Sequence, residues 1–301
     1  MAKILISDPV SQKCIEMLEN AGHELVQKTE KKTPEELAEI IKGFDAVVVR
    51  SATKVRKVAI DAADNLKLIV RGGVGLDNID CDYATSKGIK VSNTPTASSQ
   101  SVAELALGHM LALYRFLPDS NITMRKGEWN KKKYKGKEVA GKTIGIIGLG
   151  NIGKSLAKKA IPLGMKVIAY DPYVKTTDLD VEFVNFDKLL KISDIISLHI
   201  PHTDETHYII DENAISKMKD GIMIINCARG GVVDEKALLA GLNSCKVAWA
   251  GIDSYEEEPT QNMELLTHPN VSVTPHIGAA TKEAQARVGV EVADIIINFF
   301  K

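Results

Sequence analysis

Cysteine and aromatic residues are scarce in this chain, and it contains no apolar run long enough to span a bilayer. The four cysteines (Cys14, Cys81, Cys227 and Cys245) form no C-x-x-C pair and no dense framework. That excludes a disulfide scaffold and fits a reducing, cytoplasmic setting. The N-terminus, Met1-Ala2-Lys3-Ile4-Leu5-Ile6-Ser7-Asp8, has no signal-peptide core, and no membrane association is expected. An excess of one charge is missing too. Lys and Arg number 38 against 39 Asp and Glu, for a net charge of −1, without the basic surplus that a nucleic-acid binder needs to displace counterions. Short-period repeats and low-complexity tracts are absent. What remains is 301 residues, 45% hydrophobic and 26% charged, enough for one large or two medium globular domains.

Strand and helix patterns alternate through both halves. Lys3–Ser7 is a short apolar run ending in Asp8-Pro9. It is followed by an amphipathic stretch with Cys14, Met17 and Leu18 on one face, closed by Gly22. His23–Val26 reads as a second strand, and Thr33-Pro34-Glu35-Glu36 as a helix start with a capping box. Ala46–Val49, Leu68–Val70 and Ile89–Val91 complete a first parallel block. A long helical pattern runs from Ser98 with no turn signal until Pro118, linking to a second block. There strands are expected at Thr143–Ile147, Lys166–Tyr170, Asp194–His199, Ile222–Cys227, Val247–Ile252 and Val271–Val273. Six such strands match the doubly wound dinucleotide fold. Thr281–Phe300 is one further helix, too short to stand alone.

Gly148-Leu149-Gly150-Asn151-Ile152-Gly153 is a G-x-G-x-x-G run between an apolar strand and a helix pattern bearing Leu156, Ala157 and Ala160. The first glycine permits a tight turn, the second lets backbone approach a pyrophosphate, and the third allows close helix–strand packing. Asp171 ends the next strand at the distance expected of a ribose-binding carboxylate, which would favour NAD over NADP. The competing reading is a structural turn with a solvated strand-end acid, but a glycine run in this strand-then-helix context points to NAD.

With Gly141–Gly148, Asn226–Gly231, Asp253–Pro259 and Thr274–Gly278 added, the chain resembles the D-isomer-specific 2-hydroxyacid dehydrogenase family over essentially its whole length. The resemblance implies an α/β protein of two doubly wound parallel-sheet domains with the active site in the cleft between them. One is a flavodoxin-like substrate domain, discontinuous over residues 1–97 and 279–301. The other is a Rossmann NAD domain over 98–278. It implies a homodimer as well. Removing hydride from an alcohol carbon requires a base of near-neutral pKa, and His276 suits that task. Glu258 would orient and charge-balance the imidazole, and Arg229 would clamp the substrate carboxylate and polarise the 2-oxygen. The resemblance assigns the same three roles, and the mechanism requires no metal. Taken singly each residue has a bland alternative: a loop histidine, a helix-entry arginine, one glutamate of a solvated run. Their order after a dinucleotide motif argues against that.

The resemblance further places Asp253 at the nicotinamide carboxamide, the backbone near Cys227 beside the same ring, Ala228 and Gly278 among the cofactor-binding residues, and Pro201 and Thr206 along the adenosine side. Arg50 and Ser51, and Val74 and Gly75 within Gly72-Gly73-Val74-Gly75, resemble the family's substrate loops, where glycine lets backbone N–H groups face a carboxylate. His199, His202 and His207 invite a metal reading, but a strand-then-loop placement offers no closed ligand set. Within the family, Arg50-Ser51, Ser101–Leu105 and Gly127–Lys133 lean toward the branch that oxidises 3-phosphoglycerate at the entry to serine synthesis. Arg50, with one of Lys131–Lys133 or Lys135, would then meet the phosphate, unless the lysine run is only a solvated loop face. No serine feedback through a C-terminal regulatory domain is expected of a chain of this extent. A glyoxylate/hydroxypyruvate reductase of the same family is the rival enzyme. The family's NAD-sensing corepressors are the rival of a different class; they would be expected to carry extra partner-binding tails, and a compact chain of this extent is expected to be the enzyme instead.

Overall fold

The computed structural model describes all residues, 1–301, and they separate into two compact units: Met1–Ser98 with Ala279–Lys301, and Ser99–Gly278. In the first unit, strands β1 (Lys3–Ile6), β2 (Glu24–Gln27), β3 (Ala46–Val49), β4 (Leu68–Arg71) and β5 (Lys90–Asn93) alternate with helices. The helices are α1 (Gln12–Asn20), α2 (Pro34–Ile40), α3 (Lys57–Ala62) and α4 (Cys81–Ser86). All strand pairs are parallel, in the order β2-β1-β3-β4-β5, the flavodoxin-like arrangement. The capping box at Thr33 is present, its hydroxyl accepting from Glu36 N and its own N–H donating to the Glu36 carboxylate. The central strands are buried on both faces, so they are continuous Val, Ile and Leu rather than alternating.

The second unit opens with α5 (Ser99–Tyr114) and α6 (Leu117–Arg125). The expected single helix to Pro118 is therefore two. Phe116 takes a left-handed φ of 51° and breaks the run, and Pro118 starts α6 rather than ending α5. Next come β6 (Thr143–Ile147), α7 (Asn151–Ala160), β7 (Lys166–Tyr170), β8 (Glu182–Phe183) and α8 (Phe186–Ile192). They are followed by β9 (Ile195–Leu198), α9 (Glu212–Lys217), β10 (Ile222–Asn226), α10 (Glu235–Asn243), β11 (Val247–Ile252), α11 (Met263–Leu266) and β12 (Val271–Val273). The sheet is parallel with order β12-β11-β10-β9-β6-β7-β8. It has seven strands instead of the expected six, because the two-residue β8 adds an edge that no apolar run announces. The order reverses between β6 and β9, the switch point at which this fold class binds its ligands.

The chain then returns to the first unit as α12 (Lys282–Phe299). Its Val288, Val292, Ala293 and Ile296 pack with Ile4, Ile6, Leu18, Val48 and Val70. Gly289 lets the helix approach Ser11 so closely that a Cβ would overlap the hydroxyl. No helix in either unit is long and apolar enough to cross a membrane.

Candidate active site

The glycine loop lies at the switch point. Gly148 ends β6 with φ 90°, and a Cβ there would come within 2.6 Å of the His199 carbonyl at the end of β9. A Cβ on Gly153 would overlap the Gly148 carbonyl, so glycine is required at both positions. Gly150 caps α7 without any side-chain hydrogen bond, and the space in front of its Cα is open. Asn151 and Ile152 form the first turn behind it. A helix of ten residues thus turns its N-terminal end toward open space, a fit for a pyrophosphate.

Asp171, expected from the sequence to bind a ribose, is buried and already engaged by backbone, which sets aside the solvated strand-end acid of the competing reading. Its Oδ2 accepts from Leu149 N (2.8 Å), and its Oδ1 from Tyr173 N (2.8 Å) and Val174 N (2.9 Å). It therefore latches the glycine loop to the end of β7. A carboxylate offers about four acceptor sites, so one remains for a ribose hydroxyl. Thr206 closes its own loop, accepting from Thr203 N (2.8 Å) and donating to the Pro201 carbonyl (2.7 Å). In that segment His199 meets Ser197 Oγ at 2.9 Å, and burial pushes its imidazole down to about 4. His202 Nε2 and His207 Nδ1 lie 2.9 Å apart, and no group of three ligating side chains is arranged for a metal ion.

Three loops at the carboxyl ends of β10, β11 and β12 carry the charged residues. After β10, the buried Asn226 organises the turn, its Nδ2 donating to the Arg229 carbonyl (2.9 Å) and its Oδ1 accepting from Ala228 N (3.1 Å). Cys227 and Ala228 are buried in this turn, and burial pushes the Cys227 thiol up. Gly230 is decisive: a Cβ there would overlap the Tyr255 carbonyl, so only glycine lets the Arg229 turn approach the Tyr255–Glu258 loop. Neither Asn226 nor Gly230 was singled out by sequence reasoning, although both stand inside the recognised Asn226–Gly231 segment.

His276 Nδ1 lies 2.8 Å from both carboxylate oxygens of Glu258, whose Oε1 also accepts from Tyr255 N at 3.2 Å. Burial alone would raise the Glu258 pKa. The hydrogen bond and charge of His276, the Tyr255 N–H and the charge of Arg229 outweigh it and hold the carboxyl below its ordinary value. His276 itself has a left-handed φ of 51°, rare for a residue with a side chain. Asp253, 1% exposed, supports the turn on its far side: its oxygens accept from Ile277 N (2.8 Å), Gly278 N (2.8 Å) and Thr274 Oγ1 (2.6 Å). A cavity of about 390 Å³ adjoins the His276–Glu258 pair. Its other walls, among them Pro259, Leu266, Val273 and Pro275, carry no cation, so it is not an anion pocket.

Arg50, Ser51, Val74 and Gly75 belong to the first unit, at the carboxyl ends of β3 and β4. Asn78 ties this region together, donating to the Arg50 (2.7 Å) and Thr53 (2.6 Å) carbonyls, and Asn93 donates to the Val74 carbonyl. Arg50 Nε is buried without a partner; burial lowers the guanidinium pKa, while Asp8 opposes the shift. Arg71, missed because it reads as a strand end, pairs in register with Val49, next to Arg50. Lys131, Lys132, Lys133 and Lys135 are all exposed, and Lys133 lies over the Tyr134 ring.

Comparison with known proteins identifies the family and the fold. The profile described as "D-isomer specific 2-hydroxyacid dehydrogenase, NAD binding domain" matches residues 107–278. The hydroxypyruvate reductase of Thermotoga maritima is 50% identical over 299 residues, covering 98% of this chain and 97% of that protein. The D-3-phosphoglycerate dehydrogenase of Methanocaldococcus jannaschii is 47% identical over 300 residues. That match takes in 98% of this chain but 57% of the relative's length. Among solved structures, a D-lactate dehydrogenase from Aquifex aeolicus complexed with NAD and lactic acid superposes with a TM-score of 0.86 at 32% identity. It covers 99% of this chain and 95% of that one.

Proposed function

Because the chain belongs to the D-isomer specific 2-hydroxyacid dehydrogenase family and binds NAD, we propose that it oxidises D-3-phosphoglycerate at C2 to 3-phosphohydroxypyruvate. The observation that carries the chemistry is the pairing of His276 Nδ1 with both oxygens of Glu258 at 2.8 Å. An ionised carboxylate only accepts, so Nδ1 keeps its proton and the lone pair of the neutral ring sits on Nε2. Nε2 takes the hydroxyl proton, and Glu258 stabilises the resulting imidazolium. Arg229 binds the carboxylate and draws electron density from the 2-oxygen as it becomes a carbonyl. NAD, when bound, supplies the acceptor for the hydride that leaves C2. The Gly148–Gly153 loop and the first turn of α7 would hold its pyrophosphate. The remaining acceptor site of Asp171 would take a ribose hydroxyl, with Cys227, Ala228, Asp253 and Gly278 near the nicotinamide and Pro201 and Thr206 near the adenosine.

Arg50 and Arg71, side by side at two strand ends, support a substrate with a second anion, with Ser51 and the Val74–Gly75 backbone as further donors. The exposed lysines add no such support. A second reading, hydroxypyruvate reductase, is favoured by the Thermotoga maritima relative, matched over nearly its full length. Turnover of D-3-phosphoglycerate, D-glycerate and D-lactate, with hydroxypyruvate in the reverse direction, separates the two. Phosphoglycerate selectivity that is lost in Arg50→Ala and Arg71→Ala supports the first reading. Preference for the unphosphorylated pair establishes the second. No turnover despite tight NADH binding rejects both. Leu117, Ile122, Met124 and Trp129, 51–78% exposed on α6 and the loop after it, support the expected homodimer, which light scattering tests.

A further inference from the structure

The buried polar chain behind His276 begins on a residue outside the recognised motifs. His109 sits on the inner face of α5, 3% exposed. It presses on β11 where Gly251 leaves room, since a Cβ there would lie 2.7 Å from His109 Cβ. Both ring nitrogens are engaged: Nδ1 is 2.8 Å from Ser272 Oγ and Nε2 is 3.2 Å from Thr274 Oγ1. The Thr274 hydroxyl donates its one proton to Asp253 Oδ1 at 2.6 Å, so it must accept from His109. That fixes the tautomer. Nε2 carries the hydrogen and Nδ1 accepts from Ser272. Burial also pushes the His109 pKa below its ordinary value, against the pull of Asp253, which favours this neutral ring.

The donors therefore point one way: Ser272 to His109, His109 to Thr274, Thr274 to Asp253. Asp253 in turn holds Ile277 N and Gly278 N. Thr274 and Ile277 bracket His276, whose own N–H donates to the Thr274 carbonyl at 3.1 Å. The left-handed backbone of His276 costs energy and persists only where its surroundings over-determine it.

We infer that His109 is a positioning residue for the reaction: through Thr274 and Asp253 it locks the turn that aims His276. The inference rests on the role proposed above for His276. A residue that merely filled the core would need only the right shape, whereas this one needs a donor at the place of Nε2. Gln can bring an amide N–H to that place; Asn ends nearer the place of Nδ1 and cannot. The test is the pair His109→Gln and His109→Asn, with kcat, KM and Tm measured for each and His276→Ala as reference.

His109→Asn should lower kcat about tenfold with KM changed less than about threefold, and His109→Gln should recover most of that loss. Thr274→Val should match His109→Asn, and the double variant should fall no further. Equal kcat in the Asn and Gln variants, or a loss that tracks Tm alone, would overturn the inference. Nitrogen-15 NMR of the His276 Nδ1–H, hydrogen-bonded to Glu258, reads the turn without turnover. A signal broadened in the Asn variant and restored in the Gln variant supports the relay, and identical signals in both overturn it. Should His276→Ala keep its activity, the proposed chemistry fails while the NMR arm still judges the relay.

Discussion

Glu258→Gln removes a charge while keeping the shape, and so isolates what the carboxylate does for His276. Opposite charges about 4 Å apart attract by about 4 kcal/mol at an effective dielectric of 20 and by about 1 kcal/mol in bulk water. Here the side chains are 44% and 40% exposed, so solvent screening leaves about 1.4–2.7 kcal/mol. That energy is present only when the ring is protonated, which happens as the hydroxyl proton is transferred. The loss should therefore appear as a fall of about 10- to 100-fold in kcat, with the KM of the acid changed little.

The pH dependence has a definite sign. In the wild type the Glu258 carboxyl lies below its ordinary value, so its contribution to stability is full above that value. It is lost only as pH falls through the lowered, folded-state value. In the Gln variant this acid-side loss of stability disappears. Steady-state NADH formation across pH, beside thermal melts of both proteins, measures both effects. Wild-type kcat in the Gln variant, with an unchanged acid-side loss of stability, would refute the reasoning.

Gly230→Ala should force the Arg229 turn away from Tyr255 and cost about 1–3 kcal/mol of stability. A displacement near 1 Å at Arg229 would reduce turnover by about 10²-fold; normal kinetics would show that the two loops need not touch. Asp171→Ala strips the acceptor from three backbone N–H groups, and NADH affinity by fluorescence titration should drop more than about tenfold. Unchanged affinity would exclude the latch. Ile296→Ala empties a fully buried site on α12 and should cost about 2–5 kcal/mol by urea denaturation. Hydrogen exchange should accelerate in the first unit, and equal acceleration in Ser99–Gly278 would contradict the division into two units.

The parts of this architecture that are local in sequence were legible there. A glycine run between a strand and a helix has its meaning at fixed spacing, and apolar runs with capping signals located the strands and the Thr33 helix start. Features set by residues far apart along the chain were not. Asp171 accepts three backbone hydrogen bonds that depend on where the glycine loop folds back, so the residue was found but its latch was not. Phe116 breaks a helix in a conformation that no phenylalanine advertises, and β8 is too short to register as a strand. Gly230 and Asn226 stood inside a recognised motif, yet their purpose depends on the approach of Tyr255 and on the Arg229 carbonyl, both products of the fold.

The helix that returns to the first unit also orders events during synthesis. The strands of residues 1–98 leave the ribosome before the second unit, but the face bearing Ile4, Ile6, Val48 and Val70, where α1 also packs, is completed only by α12, which is made after the second unit. At about 5–20 residues per second, the whole of Ser99–Gly278 must be translated in between, a delay of roughly 10–40 s. Through that interval the nascent chain carries an apolar sheet face that α1 covers only in part. The contiguous second unit, by contrast, has its complete sequence in hand before α12 appears. The first unit is therefore begun before the second and completed after it.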